Sequence, residues 1–326
     1  MGFYLTTAFL LSFYALAQRG GAPQGLREVT VTEIPGVIAA GAVWKLAWQG
    51  TNNADGIVGT SDGGLLFAQE QPSRISKLDK SDNVSAYLED THGTGALTVD
   101  SRGRILGDER TCTDPGGHPD TCREATAVAE LSPARKVLAD NFEGKGLGRL
   151  NDLIVDKQGG VYFNGAALYY LNPAGNVATI GENVRTNGIT LSRDEKTLYA
   201  TNGATLVAFD IQPDGLVRNQ RDFARLEAGG NGDGMAIDSE GRLYVTSAPG
   251  VQVFSREGKY LGVIPTPRSV ISAAFSGPGK KILYVVGSGA LGPEGKEFQT
   301  PAGVRNNAKT IYKITTVAAG FQGRVK

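Results

Sequence analysis

A short pattern recurs six times along the chain and constrains the fold more than any other feature of the sequence. Each copy has a small polar residue, a short apolar strand, a polar turn and a second apolar strand. The copies begin at Asp55, Thr94, Asn151, Asn187, Asp233 and Ser272, with successive starts 36–57 residues apart. Blades of β-propellers repeat at about this spacing, roughly 40–50 residues with four strands each. We therefore predict an all-β fold, a six-bladed β-propeller with four-stranded blades.

The two ends of the repeat array predict how the ring closes. The last copy is followed by one clear strand, Thr310–Thr316, so its blade lacks a fourth strand. An additional strand, Val43–Gly50, precedes the first copy. Pairing these two strands would complete the last blade and cover two exposed sheet edges. The predicted propeller domain is therefore residues 43–326.

The N-terminus predicts export. An apolar run, Phe3–Ala17, ends in an Ala-Leu-Ala sequence typical of signal-peptide cleavage, and it is shorter than the about 20 residues that span a bilayer. A buried hydrophobic strand is the alternative. Residues 1–17 are predicted to be a signal peptide and 18–42 an N-terminal extension, which places the protein in the periplasm or outside the cell. Cys112 and Cys122, at the ends of a Pro/Gly-rich loop, are then expected to form a disulfide.

The charge balance narrows the range of partners. The 33 basic and 33 acidic residues cancel, and no long basic run attracts a polyanion. We expect a small-molecule substrate, with neither nucleic acid nor, after signal cleavage, a membrane as partner. A monomer is expected, with an oligomer left open.

The first residues of the six copies predict a functional site. Innermost propeller strands run along a central channel, so equivalent positions in all blades converge on one axis. All six residues carry side-chain oxygens, although Asn-Gly and Asp-Gly also occur simply as turn formers. Two carboxylates and two amides, from Asp55, Asp233, Asn151 and Asn187, would form an oxygen-only cage. Such ligands select Ca²⁺, with Mg²⁺ second, and the chain's two histidines are too few for a histidine-rich metal site.

Three sequence segments carry a resemblance to a known family. They are "RLND" at 149–152, "TNG" at 186–188 followed by "SRDEKTLY", and "GDGMAIDSEGRLYV" at 232–245. From about Asp55 to Val286 the chain resembles the gluconolactonase, senescence marker protein and luciferin-regenerating family. This resemblance implies that Asn187 and Asp233 are metal ligands, that Asn151 binds metal or substrate, and that Arg149 holds the substrate.

Two positions depart from the family pattern. The first family ligand is a glutamate in a Glu-Gly-Pro-Val-Trp motif, which corresponds either to Ala40–Trp44, with the glutamate lost, or to Asp55. We choose Asp55 because it is in phase with the other copies. Its side chain is shorter than glutamate by one carbon–carbon bond, about 1.5 Å. Where the family usually has an asparagine, this chain has Thr94, which implies altered substrate contacts near His92 and Glu109.

The family resemblance implies a calcium-dependent hydrolase that opens a sugar lactone or another small lactone. The metal would polarise the carbonyl, Asp233 is the candidate general base, and Arg149 and Asn151 would orient the substrate. Two alternatives remain, a non-catalytic exported binding propeller and the metal-free chemistry of strictosidine synthase-like propellers. "GTSDG" at 59–63 fits a serine-hydrolase motif but occupies a hairpin turn rather than a strand-to-helix turn.

Overall fold

Six four-stranded antiparallel sheets make up nearly all of the computed structural model, which describes residues 25–110, 125–300 and 306–324. We number the sheets as blades 1–6 in chain order. Blade 1 contains β2 (Ile57–Gly59), β3 (Leu65–Gln69), β4 (Arg74–Leu78) and β5 (Val84–Glu89). Blade 2 contains β6 (Leu97–Val99), β7 (Ile105–Glu109), β8 (Ala127–Ser132) and β9 (Lys136–Ala139). A short hairpin, β10 (Asn141–Phe142) and β11 (Lys145–Gly146), leads into blade 3.

The remaining blades repeat the same order. Blade 3 contains β12 (Asp152–Val155), β13 (Val161–Asn164), β14 (Leu168–Leu171) and β15 (Val177–Ile180). Blade 4 contains β16 (Ile189–Leu191), β17 (Thr197–Asn202), β18 (Thr205–Ile211) and β19 (Val217–Arg225). Blade 5 contains β20 (Met235–Ile237), β21 (Leu243–Ser247), β22 (Gly250–Phe254) and β23 (Tyr260–Pro265). The first strand of each blade is innermost, and neighbouring inner strands contact one another around the whole ring.

Blade 6 closes the ring as the sequence predicts. It contains β24 (Val270–Ser276), β25 (Ile282–Ser288) and β26 (Ala308–Thr315), with a 3₁₀ turn at Pro278–Lys280, and its outermost strand is β1 (Lys45–Gln49). Strand β1 pairs antiparallel with β26, placing Lys45 opposite Lys313 and Gln49 opposite Thr310. The predicted six-bladed propeller and its closure are confirmed.

The hairpins between the first two strands of a blade share one local mechanism. In blades 2, 3 and 5 an aspartate side chain accepts hydrogen bonds from the backbone N–H groups two and four residues later. The residue three positions after each aspartate is a glycine with positive φ, at 80°, 91° and 81°. Only glycine adopts that conformation freely, so Asp-x-x-Gly determines where the inner strand ends and the next strand begins.

The hydrophobic core lies between blades rather than at the centre of the ring. Six clusters of buried apolar side chains each join two neighbouring blades, as where Ile154 and Tyr162 of blade 3 meet Leu198 of blade 4. A single blade cannot bury its own faces, so each one depends on its neighbours.

The described part of the N-terminal extension belongs to this core. Val31, Ile34, Val37 and Ile38 are buried between blades 5 and 6, and the Trp44 Nε1–H donates to the Pro265 carbonyl at 2.7 Å. The predicted signal peptide lies outside the described residues, as do Cys112 and Cys122. Where the structure describes the chain, no helix is long and apolar enough to span a bilayer.

The chain after β26 crosses the far ends of three inner strands. The Phe321 N–H donates to the Ile237 carbonyl of blade 5 at 3.1 Å, and Arg324 Nη1 donates to the Leu191 carbonyl of blade 4 at 2.7 Å. Gly320 lies against Phe275 of blade 6. This C-terminal segment, residues 317–324, therefore joins blades 4–6 at the end of the ring opposite the starts of the inner strands.

Ring closure depends on the buried face of β1, which gives a direct test. Ala47 is buried among the side chains between blades 6 and 1, whereas its neighbour Leu46 is about half exposed. We expect Ala47→Asp to lower the free energy of unfolding by at least about 3 kcal/mol, because it buries an unpaired carboxylate. Leu46→Asp is the matched control and should change it by under about 1 kcal/mol. Chemical denaturation of both variants measures this, and equal effects would contradict the proposed closure.

Candidate active site

Polar side chains from the second strand of a blade hold the start of its inner strand. These side chains form hydrogen bonds with backbone N–H or C=O groups at the start of the inner strand. The contacts are Asp108 Oδ1 with Gly95 N (2.9 Å) and Ala96 N (2.5 Å), Asn164 Oδ1 with Asp152 N (2.8 Å), Thr201 Oγ1 with Asn187 N (3.0 Å) and Gly188 N (2.9 Å), and Thr246 Oγ1 with Gly234 O (2.8 Å). The first residue of each of these copies therefore sits on a constrained backbone.

Asp152 joins two blades at the same level. Its Oδ2 accepts a hydrogen bond from the Ile189 N–H of blade 4 at 2.9 Å. The Asn164 Nδ2 of blade 3 donates in addition to the carbonyls of Thr186 and Asn187, at 2.9 and 3.1 Å. Blades 3 and 4 are thus held together beside the channel, which determines the spacing of Asn151 and Asn187.

Asn151, Asn187 and Arg149 form one group of partly exposed side chains. The Asn151 Nδ2 donates to the Asn187 Oδ1, and the Arg149 Nη1 donates to the Asn151 Oδ1 at 3.4 Å. The Arg149 side chain keeps 33% of its surface exposed. Nearby Arg110, with burial second, lowers the pKa of Arg149 from its usual value. The structure thus brings together three of the predicted site residues, with amide and guanidinium groups that are partly exposed.

A buried ion cluster lies beside this group and contains Asp55. The Arg110 guanidinium contacts three carboxylates. Nη1 lies 3.0 Å from Asp55 Oδ2 and also contacts Glu70 Oε1, while Nε lies 3.2 Å from Asp108 Oδ2. Glu70 Oε1 also lies 3.6 Å from Arg149 Nη2. Burial opposes the charge on Arg110, but the three carboxylates outweigh it and raise its pKa.

Asp55 and Asp233 are the carboxylates of the predicted cage, and both are partly exposed. Burial raises the pKa of Asp55 to about 7, against the lowering effect of Arg110. Burial also raises the pKa of Asp233 well above its usual range, and the Asp55 and Asp152 carboxylates add to the shift. Within the described ranges, no side chain donates a hydrogen bond to the Asp233 carboxylate. Burial and the neighbouring negative charges therefore favour a proton or a cation at the Asp233 carboxylate.

The remaining predicted residues occupy different positions. Thr94 is fully buried and its Oγ1–H donates to the Thr91 carbonyl, while Ser272 lies within β24 and is 5% exposed. His92 is partly exposed in the loop before β6. Glu109 is buried and pairs with Arg135 at 2.6 Å. Because neighbouring strand residues face opposite sides, Glu109 points away from the face shared by Asp108 and Arg110. Of the six first residues, Thr94 and Ser272 are thus buried, and the other four are partly exposed.

Glu70, Asp108 and Arg110 were missed by the sequence analysis. They lie at the ends of second strands rather than at the starts of inner strands, so the repeat did not single them out. A signal was available, because "GDER" puts Asp108 where equivalent strands have Asn or Thr, and because "GDER" and "FAQE" both end in a charged residue. Such charges in otherwise buried strands require partners inside the fold.

Comparisons with known proteins agree with this architecture. Residues 54–289 match the family model described as "SMP-30/Gluconolactonase/LRE-like region". The chain is 26% identical to a gluconolactonase of Zymomonas mobilis over 72% of this chain and 76% of that protein. It is 25% identical to a lactonohydrolase of Aspergillus oryzae over 48% of this chain and 46% of that protein. It is also 30% identical to regucalcin of Danio rerio over 50% of this chain and 58% of that protein.

Solved structures show the same fold. A gluconolactonase of Xanthomonas campestris superimposes with a TM-score of 0.70 at 21% identity, covering 92% of this chain and 99% of that one. A structure described as the calcium-binding protein regucalcin of Agrobacterium tumefaciens gives 0.63 at 16% identity, covering 86% and 98%.

The backbone anchors at the channel can be tested with two threonines of blade 4. Thr201 accepts two backbone N–H groups, whereas the buried Thr190 hydroxyl has no hydrogen-bond partner among the described residues. We expect Thr201→Val to lower the free energy of unfolding by about 2 kcal/mol, because it leaves buried donors unpaired. Thr190→Val makes the same change in side-chain shape and should leave the free energy of unfolding nearly unchanged. Denaturant unfolding of both variants measures the change, and equal losses of unfolding free energy would contradict the anchoring role of Thr201.

Proposed function

Because the chain belongs to the SMP-30/gluconolactonase/LRE-like family, we propose that it hydrolyses a small lactone with the help of a divalent cation. The similarity to the gluconolactonase and the lactonohydrolase supports the reaction class. A sugar lactone or another small lactone is the proposed substrate, and Ca²⁺ is the proposed cation, with Mg²⁺ second.

One observation carries this proposal. The Asp233 carboxylate receives no side-chain hydrogen bond among the described residues, and Asp55 lies close enough to raise its pKa. Asp55 in turn lies near Arg149, which contacts Asn151. A carboxylate beside a second negative charge favours a cation or a proton next to it. A lactone carbonyl needs positive charge at its oxygen and a base for the attacking water, and this group contains candidates for both roles.

The residues fit a hard cation by the chemistry of their donors. Asp55, Asp233, Asn151 and Asn187 supply oxygen ligands only, which Ca²⁺ and Mg²⁺ prefer. Among the described residues, no three His, Cys, Asp or Glu side chains form a metal-holding group, so the two amides are essential to the set. Similarity to regucalcin, one structure of which is described as a calcium-binding protein, supports the choice of Ca²⁺.

The chain's own residues have distinct roles in this proposal. A divalent cation held by the four oxygen ligands would supply Lewis acidity toward the lactone carbonyl. Arg149 and Asn151 bind and orient the lactone, and Asp233 accepts a proton from water as the water oxygen bonds to the carbonyl carbon. The ring carbon–oxygen bond then breaks, the ring oxygen takes up a proton, and a hydroxy acid is released.

Removal of the cation is the first test. We expect the purified protein to hydrolyse at least one member of a panel of sugar and aliphatic lactones. A chelator should lower turnover at least 100-fold and added CaCl₂ should restore it, because the substrate carbonyl loses its Lewis acid. Asp233→Asn should lower kcat to a similar extent even with CaCl₂ present.

The outcomes of this test separate the alternatives. Chelator-insensitive turnover would overturn the role of the cation and favour metal-free chemistry. No turnover on any lactone or ester would overturn the hydrolase and favour a binding propeller. Asp62→Asn, at an exposed turn on blade 1, is the matched carboxylate control and should keep kcat unchanged.

Arg149 gives an independent test of substrate binding. We expect Arg149→Gln to raise KM at least about tenfold with a smaller effect on kcat, because a charge-assisted hydrogen bond is worth about 1.5–3 kcal/mol. Arg256→Gln is the control, since Arg256 is exposed and forms its ion pair with the neighbouring Glu257. Steady-state kinetics of both variants measures the effect, and an unchanged KM for Arg149→Gln would remove Arg149 from the binding site.

A further inference from the structure

Arg110 is a buried cation that the proposed reaction does not use. Only 4% of its side-chain surface is exposed, and two of its partners, Glu70 and Asp108, are also fully enclosed. A buried charge is tolerated only when it is paired and hydrogen-bonded. Burying the Arg110 guanidinium costs free energy, which points to a role for this residue beyond packing.

The contacts of Arg110 connect blades 1, 2 and 3. From blade 2 it reaches Asp55 and Glu70 of blade 1. It also donates to the backbone carbonyls of Leu150, at 2.9 Å from Nε, and Asn151, at 3.3 Å from Nη2, in blade 3. One planar guanidinium thus fixes Asp55 relative to Asn151. An ammonium group has no comparable rigid fork of donors.

The fold leaves a space for this guanidinium. A Cβ at Gly95 would overlap Nη1 and the central carbon of Arg110. The backbone of Gly95 is held on the other side by Asp108, which is itself a partner of Arg110. Glycine at position 95 therefore allows the guanidinium to lie against the start of the inner strand and reach Asp55.

We propose that Arg110 is a positioning residue that holds Asp55 in place for cation binding and lactone hydrolysis, an inference that rests on the proposed function. Glu70 assists because it lies between Arg110 and Arg149 and separates their like charges. The guanidinium acts on Asp55 directly, since Nη1 lies 3.0 Å from Asp55 Oδ2 and so orients the carboxylate.

Two variants that conserve charge test this role. Gly95→Ala displaces the guanidinium without removing any polar group. Arg110→Lys keeps the positive charge but loses the planar set of N–H donors. For each we expect CaCl₂ affinity, measured by calorimetry, to fall at least tenfold. Turnover should fall at least tenfold in kcat with KM changed less than threefold, because Arg149 keeps its Glu70 contact. Gly146→Ala is the matched control, with open space around its Cβ and no positive φ.

The readouts distinguish the possible failures. Lower unfolding temperature with wild-type CaCl₂ affinity and kcat would mean that Arg110 is only structural, and would overturn the proposal. If the unaltered protein binds CaCl₂ but hydrolyses no lactone, the proposed function fails and the calorimetric comparison still decides the role of Arg110. If it neither binds CaCl₂ nor turns over a lactone, both proposals are wrong.

Discussion

The inner strand of each blade is the edge of its sheet, and this constraint underlies the rest of the structure. An edge strand leaves backbone N–H and C=O groups without sheet partners, and here those groups lie next to the channel. Side chains such as Asp152, Asn164 and Thr201 satisfy them, within a blade or across to the next. Polar residues are therefore required at the centre of this fold for stability alone, and the residues proposed to bind the substrate stand directly on that framework.

The electrostatics of the candidate site follow from the number of charged side chains that lie close together beside the inner strands. Asp55, Glu70, Asp108, Asp152 and Asp233 bring five carboxylates to one region, where Arg110 and Arg149 carry the opposite charge. Arg110 contacts three of these carboxylates, whereas no side chain among the described residues donates a hydrogen bond to Asp233. The arrangement is short of positive charge on the side of Asp233, which is consistent with a cationic ligand and with a carboxylate that accepts a proton.

The fold was predictable because each blade has the same register of small polar residue, strand and Asp-x-x-Gly turn, and because two unpaired strands remained at the ends. The site was predictable only where it coincided with that register, as at Asn151 and Asn187, which make direct contact. Thr94 and Ser272 share the register but are buried, because a residue's position in the repeat does not determine how exposed its side chain is. The charge of Arg110 was visible in the sequence, but its role was not, because its partners Glu70 and Asp55 lie 40 and 55 residues away in the chain.

The C-terminal segment makes the ring asymmetric. Residues 317–324 link the undersides of blades 4, 5 and 6, and their hydrogen bonds from Phe321 and Arg324 reach no further around the ring. Blades 4–6 therefore carry an additional set of cross-links at their far ends, while Asp55, Arg110 and Asn151 belong to blades whose links lie beside the inner strands. Asn187 and Asp233 come from the cross-linked blades, so the candidate site combines residues from both parts of the ring.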